Sequence, residues 1–316
     1  MPTPSSTRPS TPPPIRNALT ERPALAALAG AIAIAFSAIL VDLANVSPST
    51  AAVFRCGYAL PVLGLLALSE RRRLGPLPPR HWRHATIAGT FFAADLILWH
   101  HAIADVGAGL ATTLANLQVV LVALAAWLLL GERPTRNVAL AVPLVFAGVV
   151  LISGVIGEDA YGADPALGAL FGVLTAVAYT GFLLVLRHAG RDLRRPAGPL
   201  FEATLVATSV AIAAGAVLGE VDLVPSWPAH GWLLTLALTS QVLGWLLIVV
   251  ALPRLPASLT SIVLTVQPVG SVLLGIVLLG EDPAPAQLAG VAVIVAGIVL
   301  ATRRARSPEH GAPVAG

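Results

Sequence analysis

Residues 118–134 read QVVLVALAAWLLLGERP, and residues 267–283 read QPVGSVLLGIVLLGEDP. The two stretches align without a gap at an offset of 149 residues, so that Gln118, Gly131, Glu132 and Pro134 meet Gln267, Gly280, Glu281 and Pro283. The register continues through Gly148 and Leu151, which meet Gly297 and Leu300. One offset held through two apolar segments and the turn between them is the mark of an internal duplication. Charges are exchanged between the copies: Asp105 corresponds to Arg254, and Arg133 to Asp282. Basic residues collect on the cytoplasmic side of a bilayer, so equivalent loops that swap sign lie on opposite sides and the copies are inverted relative to each other. Inverted repeats of this kind are the architecture of secondary transporters.

Composition agrees with a bilayer setting. The 316-residue chain is 56% hydrophobic and 11% charged, with a mean hydropathy of +0.84. Those values are far from the balance of a soluble domain and imply an integral membrane protein. The net charge of +3 comes from 19 basic residues, all of them arginine and nearly all in short loops or tails. Orientation in the membrane accounts for them better than nucleic acid does, and no nucleic-acid partner is expected. Cys56 is the only cysteine, which excludes an intramolecular disulfide and a cysteine-based metal site.

Apolar runs near the ~20 residues needed to cross the hydrocarbon core number ten. They cover 23–43, 49–68, 84–104, 107–130, 136–156, 166–187, 199–219, 229–251, 256–280 and 284–302. The Pro23–Val41 run is too long for a signal-peptide core and reads as the first span. Residues 1–22, rich in Pro, Ser and Thr, read as a disordered cytoplasmic tail, and 303–316 as a second tail. Loop charges alternate. Arg71, Arg72, Arg73, Arg80 and Arg83 follow span 2, Arg133 and Arg136 follow span 4, and Arg187, Arg191, Arg194 and Arg195 follow span 6. The intervening loops carry Asp42, Asp105, Glu158, Asp159, Asp164, Glu220, Asp222, Glu281 and Asp282. Arg8, Arg16 and Arg22 at one end and Arg303, Arg304 and Arg306 at the other put both termini in the cytoplasm of a multi-pass cell-membrane protein, which requires an even number of spans. The expected fold is therefore an all-α membrane protein of ten transmembrane helices in two inverted five-helix repeats, residues 23–156 and 166–302. An odd number of spans per copy inverts the second copy automatically, in agreement with the charge exchange.

On these residues the chain resembles the drug/metabolite transporter superfamily, with two EamA-type repeats over roughly 25–153 and 166–302. The resemblance is carried by Gly131-Glu132-Arg133-Pro134 and Gly280-Glu281-Asp282-Pro283, by the Ala147-Gly148 and Ala296-Gly297 pairs, and by Phe54-Arg55. The pattern places a proline in the middle of each fourth helix; Pro268 supplies it in the second copy, whereas Val119 holds that place in the first. The resemblance implies a ten-helix carrier, often an exporter of amino acids or toxic compounds, working by alternating access through a central cavity. The same superfamily contains lipid-carrier and nucleotide-sugar carriers, which are the alternative reading of function.

Ionisable groups inside spans mark substrate and proton pathways. Arg55 lies about 9 Å inside span 2, at 1.5 Å per residue, and is the candidate anchor for an anionic substrate group; a structural pair with Asp42 or Asp95 competes with that role. Asp95 stands near the middle of span 3. Desolvation disfavours the charged form of a carboxylate there, so Asp95 is the candidate proton carrier as well as a substrate contact. Trp99 is one turn along the same face. His100 and His101 point about 100° apart and cannot readily hold one metal, so no metal or other cofactor is expected.

Further cavity candidates are Asn116 and Thr265 on the repeated fourth helices, Tyr179 on span 6, and Gln241 and Trp245 on span 8. Gln118 and Gln267 point about 200° away from Asn116 and Thr265. One of these two faces lines the cavity and the other packs against a neighbouring helix, and the spacing leaves both assignments open. His100, Gln118, Gln267 and Glu202 complete the candidates, Glu202 because it begins span 7 near the cytoplasmic face, where a helix N-terminus favours a carboxylate. The expected partners are a small-molecule substrate, anionic or zwitterionic, and the lipid bilayer, with the chain a monomer or homodimer. An intramembrane enzyme would have to use Asp95 and His100, and no catalytic residue is assigned, because paired Asp motifs and a G-x-S-x-G serine are missing from the sequence.

Overall fold

The computed structural model describes residues 22–303 except 79, 132, 157–158, 190–193, 252–253 and 256, and gives backbone alone at 80, 130, 187–189 and 257–262. The tails expected at 1–21 and 304–316, and the side chains of Glu132, Glu158, Arg191, Arg187, Arg80, Ser258 and Ser261, lie outside the described residues. Among the described residues every regular element is helical. In chain order these are α1 (Pro23–Ala44), α2 (Pro48–Leu74), α3 (Arg80–Val106), α4 (Ala108–Ala115 and Gln118–Leu130), α5 (Arg136–Ile152), α6 (Pro165–Ala189) and α7 (Ala197–Leu218). They continue with α8 (Trp227–Leu236, a π-helical stretch Ala237–Gly244, then Trp245–Ala251), α9 (Ala257–Leu274 with a π-helical end Gly275–Leu279) and α10 (Pro285–Thr302). Eight are long and apolar enough to cross a membrane, and α5 and the Val263–Leu279 part of α9 are shorter apolar segments.

The ten spans match the expected ones with shifted ends. α2 runs on to Leu74 and carries Arg71, Arg72 and Arg73 in its last turn, where cations face unsatisfied carbonyls and complement the helix dipole. α5 stops at Ile152 rather than 156, with a turn at Gly154 in the left-handed region (φ 72°).

The interruption in the fourth helix occurs in the copy without the proline. α4 tightens at Asn116–Leu117, where Leu117, Val119 and Val120 N–H groups donate to carbonyls three residues back. Thr112 Oγ1, Thr113 Oγ1 and Asn116 Nδ2 each donate to the carbonyl four residues earlier, at Ala108, Gly109 and Thr112. Such side-chain bonds compete with the helical ladder and deform it. Pro268 is accommodated within the continuous part of α9.

Packing follows the duplication. α3 packs most extensively on α6, and its repeat counterpart α8 packs along α1; α4 meets α9, α5 meets α10, and α2 meets α7. Each of the last three pairs joins a helix to its own repeat equivalent, as a twofold relation between the halves requires. α5 and α10 approach closely because glycines face each other across the contact: a Cβ at Gly148 would stand 2.5 Å from Ile294 Cγ1, and one at Gly290 would stand 2.8 Å from the Gly148 carbonyl. Small residues at a helix crossing substitute for a hydrophobic driving force that lipid does not supply.

Connections gather by charge. Arg22, Arg133, Arg136, Arg194, Arg195, Arg254 and Arg303 sit at one end of the bundle with the last turn of α2, an arrangement tied together by Arg195 bonding the Leu74 and Gly75 carbonyls and by Asn137 Nδ2 bonding the Arg303 carbonyl. The opposite end holds Asp159, Asp164, Glu220, Asp222, Glu281 and Asp282. We refer to these as the arginine face and the acidic face.

Candidate functional site

Seven helices converge on a central cavity of about 50 Å³. It is lined by Ile34 and Ser37 of α1, Arg55 of α2, Phe92, Asp95, Leu96 and Trp99 of α3, Thr112, Ala115 and Asn116 of α4, Tyr179 of α6, Trp245 of α8 and Gln267 of α9. That volume holds one or two waters and is far below the ~300 Å³ of a usual small-molecule pocket, so the cavity is constricted in this conformation.

Arg55 is 4% exposed and Asp95 7% exposed. They line the same space without forming an ion pair with each other, and Asp42 is exposed at the end of α1, so neither expected structural pair is present. The guanidinium is held instead by a neutral partner: Arg55 Nε donates to Gln241 Oε1 at 3.1 Å, and Gln241 Nε2 donates to Thr204 Oγ1 at 3.4 Å. The Arg55 Cζ stands 5.4 Å from the centre of the Trp99 ring, a cation–π distance. Nη1 of Arg55 and Oδ1 of Asn116 are buried without a hydrogen-bond partner among the described residues. A buried guanidinium with an unused donor is costly, and it is relieved by an acceptor arriving from outside the chain.

Aromatic rings build one wall. Phe92 stacks on Phe182 at 4.5 Å between centroids, and Trp245 meets Phe92, Tyr179 and Phe182 edge-on at 6.0, 6.0 and 5.5 Å. Trp245 follows directly on the π-helical stretch of α8 that carries Gln241. π segments often occur at functional sites, because the extra residue in the turn re-aims the side chains around it.

Of the sequence candidates, Arg55, Asp95, Trp99, Asn116, Tyr179, Trp245 and Gln267 come together here. The two copies use different faces: α4 presents Asn116 and α9 presents Gln267, while Gln118 is buried outside the lining and Thr265 is half-buried outside it. Gln241 is fully buried behind Arg55 and positions it. His100 lies off the cavity, with its Nδ1 3.0 Å from the Pro48 carbonyl at the start of α2.

Glu202 lies at the arginine face, 3.9 Å from His81 Nδ1. It does not cap α7; that N-terminus is held by Glu70, whose carboxylate accepts from Ala197 N at 2.9 Å and Gly198 N at 2.8 Å. Thr112 lies on the same polar face of α4 as Asn116 and lines the cavity with it; sequence reasoning passed over Thr204 and Ser37, whose hydroxyls carry no signal distinguishing them from the many Ser and Thr residues that bond their own helix.

At the acidic face the repeated turn closes onto the cavity-lining helix. Glu281, 5% exposed, accepts from the Ala108 and Gly109 amides at the first turn of α4. Gly107 (φ 89°) and Gly275 make room for it, since a Cβ at either would collide with the carboxylate. Burial pushes the Glu281 carboxyl above its ordinary range, the two amides pull it down, and Asp42 raises it further.

A profile of the EamA-like transporter family matches residues 22–154 and again 166–303. An uncharacterised protein of Pseudomonas aeruginosa is 32% identical over 255 residues, which cover 79% of this chain and 84% of that protein. An uncharacterised transporter of Archaeoglobus fulgidus is 24% identical over 288 residues, 86% of this chain and 94% of its own. A crystal structure of a protein at 19% identity superposes with a TM-score of 0.59 over 89% of this chain and 96% of that one, a likeness of fold.

Proposed function

Because this chain belongs to the EamA-like transporter family, we propose that it is a secondary carrier that exports a small zwitterionic or anionic metabolite, an amino acid or related compound, by alternating access. The observation that carries this reading is the unsatisfied Arg55 guanidinium facing a cavity that also holds an unpaired Asp95. Arg55 binds a carboxylate or another anionic group of the substrate. Asp95 and the faces of Tyr179 and Trp245 receive a cationic group, if the substrate has one, and Asp95 carries the proton. Binding and protonation are linked because both change the charge in one low-dielectric space; protonation changes substrate affinity by the same factor by which substrate changes proton affinity.

The arginine face is cytoplasmic by the distribution of basic residues, and both ends of the described bundle, Arg22 and Arg303, lie there. At about 50 Å³ the cavity is too narrow for a metabolite, so the halves move apart before one fits. Reconstituted vesicles with and without a pH gradient test the scheme, using a panel of radiolabelled amino acids as probes. Arg55→Gln abolishes transport, and Asp95→Asn loses the pH dependence while retaining exchange. Wild-type transport in both variants rejects the assignment.

A further inference from the structure

We propose that the crevice between α2, α3 and α7 at the arginine face is the seat of one phospholipid with an ethanolamine headgroup, drawn from the adjoining leaflet. The crevice has a volume of about 420 Å³, much larger than the central cavity. A buried layer that includes Ala59, Leu63, Ala88, Phe92 and Ala203 separates the two, so the crevice is not an arm of the transport site.

Its construction matches the depth profile of a lipid. Gly64, Ala67, Leu68 and Phe201 form an apolar floor, and Glu70, Arg71, Arg195 and Glu202 form a charged rim. From Gly64 to Arg71, α2 rises about 10 Å at 1.5 Å per residue, so the floor lies at acyl-chain depth when the rim is at headgroup depth. Trp82 stands on the rim 53% exposed, a position tryptophan favours at a membrane interface. α7 packs chiefly on α2 and α3, which puts the crevice at the periphery of the bundle, toward lipid.

The charges select the headgroup. Glu70 is committed to the Ala197 and Gly198 amides, and Arg195 to the Leu74 and Gly75 carbonyls. Arg71 is exposed and forms no ion pair among the described residues. Oε2 of Glu202 is buried without a hydrogen-bond partner, with the His81 ring Nδ1 3.9 Å away. The rim therefore offers one cation for a phosphate and one carboxylate wanting an N–H donor. A primary ammonium supplies that donor; a choline has no N–H, and a glycerol headgroup has no cation. At the acidic face α2 and α8 meet through polar and aromatic contacts instead, with Tyr58 Oη 2.6 Å from His230 Nδ1 and Phe54 edge-on to the His230 ring at 5.3 Å.

Native mass spectrometry of the full chain in detergent tests this, with phosphatidylethanolamine, phosphatidylcholine and phosphatidylglycerol of identical acyl chains as probes. One ethanolamine lipid is retained per chain, about fivefold more tightly than the choline lipid, as one partly exposed charge contact allows. Glu202→Gln erases that preference, Arg71→Gln weakens both lipids, and Gly64→Leu, whose Cβ would stand 3.2 Å from Phe201 Cε2, weakens all three. The two charge variants decide the matter if Gly64→Leu does not fold. Tighter retention of the glycerol lipid, an ethanolamine preference surviving Glu202→Gln, or no lipid retained at all would overturn the proposal.

Discussion

Replacing Glu281 with alanine is expected to loosen the acidic face. The carboxylate satisfies the Ala108 and Gly109 amides, and its loss leaves both buried N–H groups unpaired at about 1–3 kcal/mol each. Part of that is offset because burying the carboxylate itself costs free energy, the same burial that raises its proton affinity. A net destabilisation of the closed form of about 1.5–3 kcal/mol remains, which shifts the opening equilibrium roughly 10- to 100-fold.

The assay is the labelling rate of Thr112→Cys, a buried cavity position one turn below the two amides, by an impermeant thiol reagent in a Cys56→Ala background. Glu281→Ala raises the rate by tenfold or more. A rate within twofold of the background would refute the reasoning. pH supplies a second arm with a defined sign. The closed form binds the Glu281 proton more tightly than the open, hydrated form does, so protonation favours closure. That stabilisation is present at low pH and lost as pH rises through the raised carboxyl range of the closed form. Labelling of the Glu281-containing protein therefore slows on acidification, and the Glu281→Ala protein lacks this component. Asp42 and Tyr161, the neighbouring titratable groups, remain in both proteins.

Gln241→Leu removes the acceptor of Arg55 Nε and leaves a second guanidinium donor unpaired; a loss of about 1.5–3 kcal/mol in thermal stability in detergent, accompanied by loss of transport, is the expected result. Gly148→Leu inserts a side chain against Ile294 and the Gly290 carbonyl at the α5–α10 crossing and lowers the melting temperature, by circular dichroism, with a cost of about 1–3 kcal/mol or more. Cysteines placed at Arg136, the first residue of α5, and at Ala284, just before α10, react with an impermeant reagent from opposite sides of the membrane; labelling from the same side contradicts the inverted arrangement.

The bundle was legible because its determinants are periodic and local. Span length, arginine-rich alternate loops and the repeated Gly-Glu-x-Pro turn are all visible residue by residue, and they fix which ends of the helices share a face. Arg55 and Asp95 were legible for a different reason: charge within an apolar run is rare enough to stand out. Their separation was not, because whether a guanidinium meets a carboxylate or an amide depends on interhelical geometry. Gln241 reaches Arg55 from 186 residues away, through a π-helical turn that no spacing rule forecasts. The face-assignment of Gln118 and Gln267 failed to transfer between copies for a related reason. α4 is tightened at Asn116–Leu117 by its own Thr and Asn side chains, whereas α9 passes the equivalent place as regular helix. A duplicated sequence conserves pattern, and each copy then relaxes into a different local winding.

The antiparallel pair α2–α7 is fastened at both ends. At the arginine face Glu70, near the end of α2, holds the first amides of α7; at the acidic face Ser49 Oγ donates to the Glu220 carboxylate at 3.3 Å, and the Asp222 amide donates to Thr50 Oγ1 at 2.8 Å. A piston stroke of one helical turn, 5.4 Å, would unseat both fastenings together. Tilting the pair as a single board breaks neither. The sliding modes available to two packed helices are thus suppressed here, and the mechanical freedom left to α2 and α7 is to swing jointly against the rest of the bundle, carrying Arg55 with them.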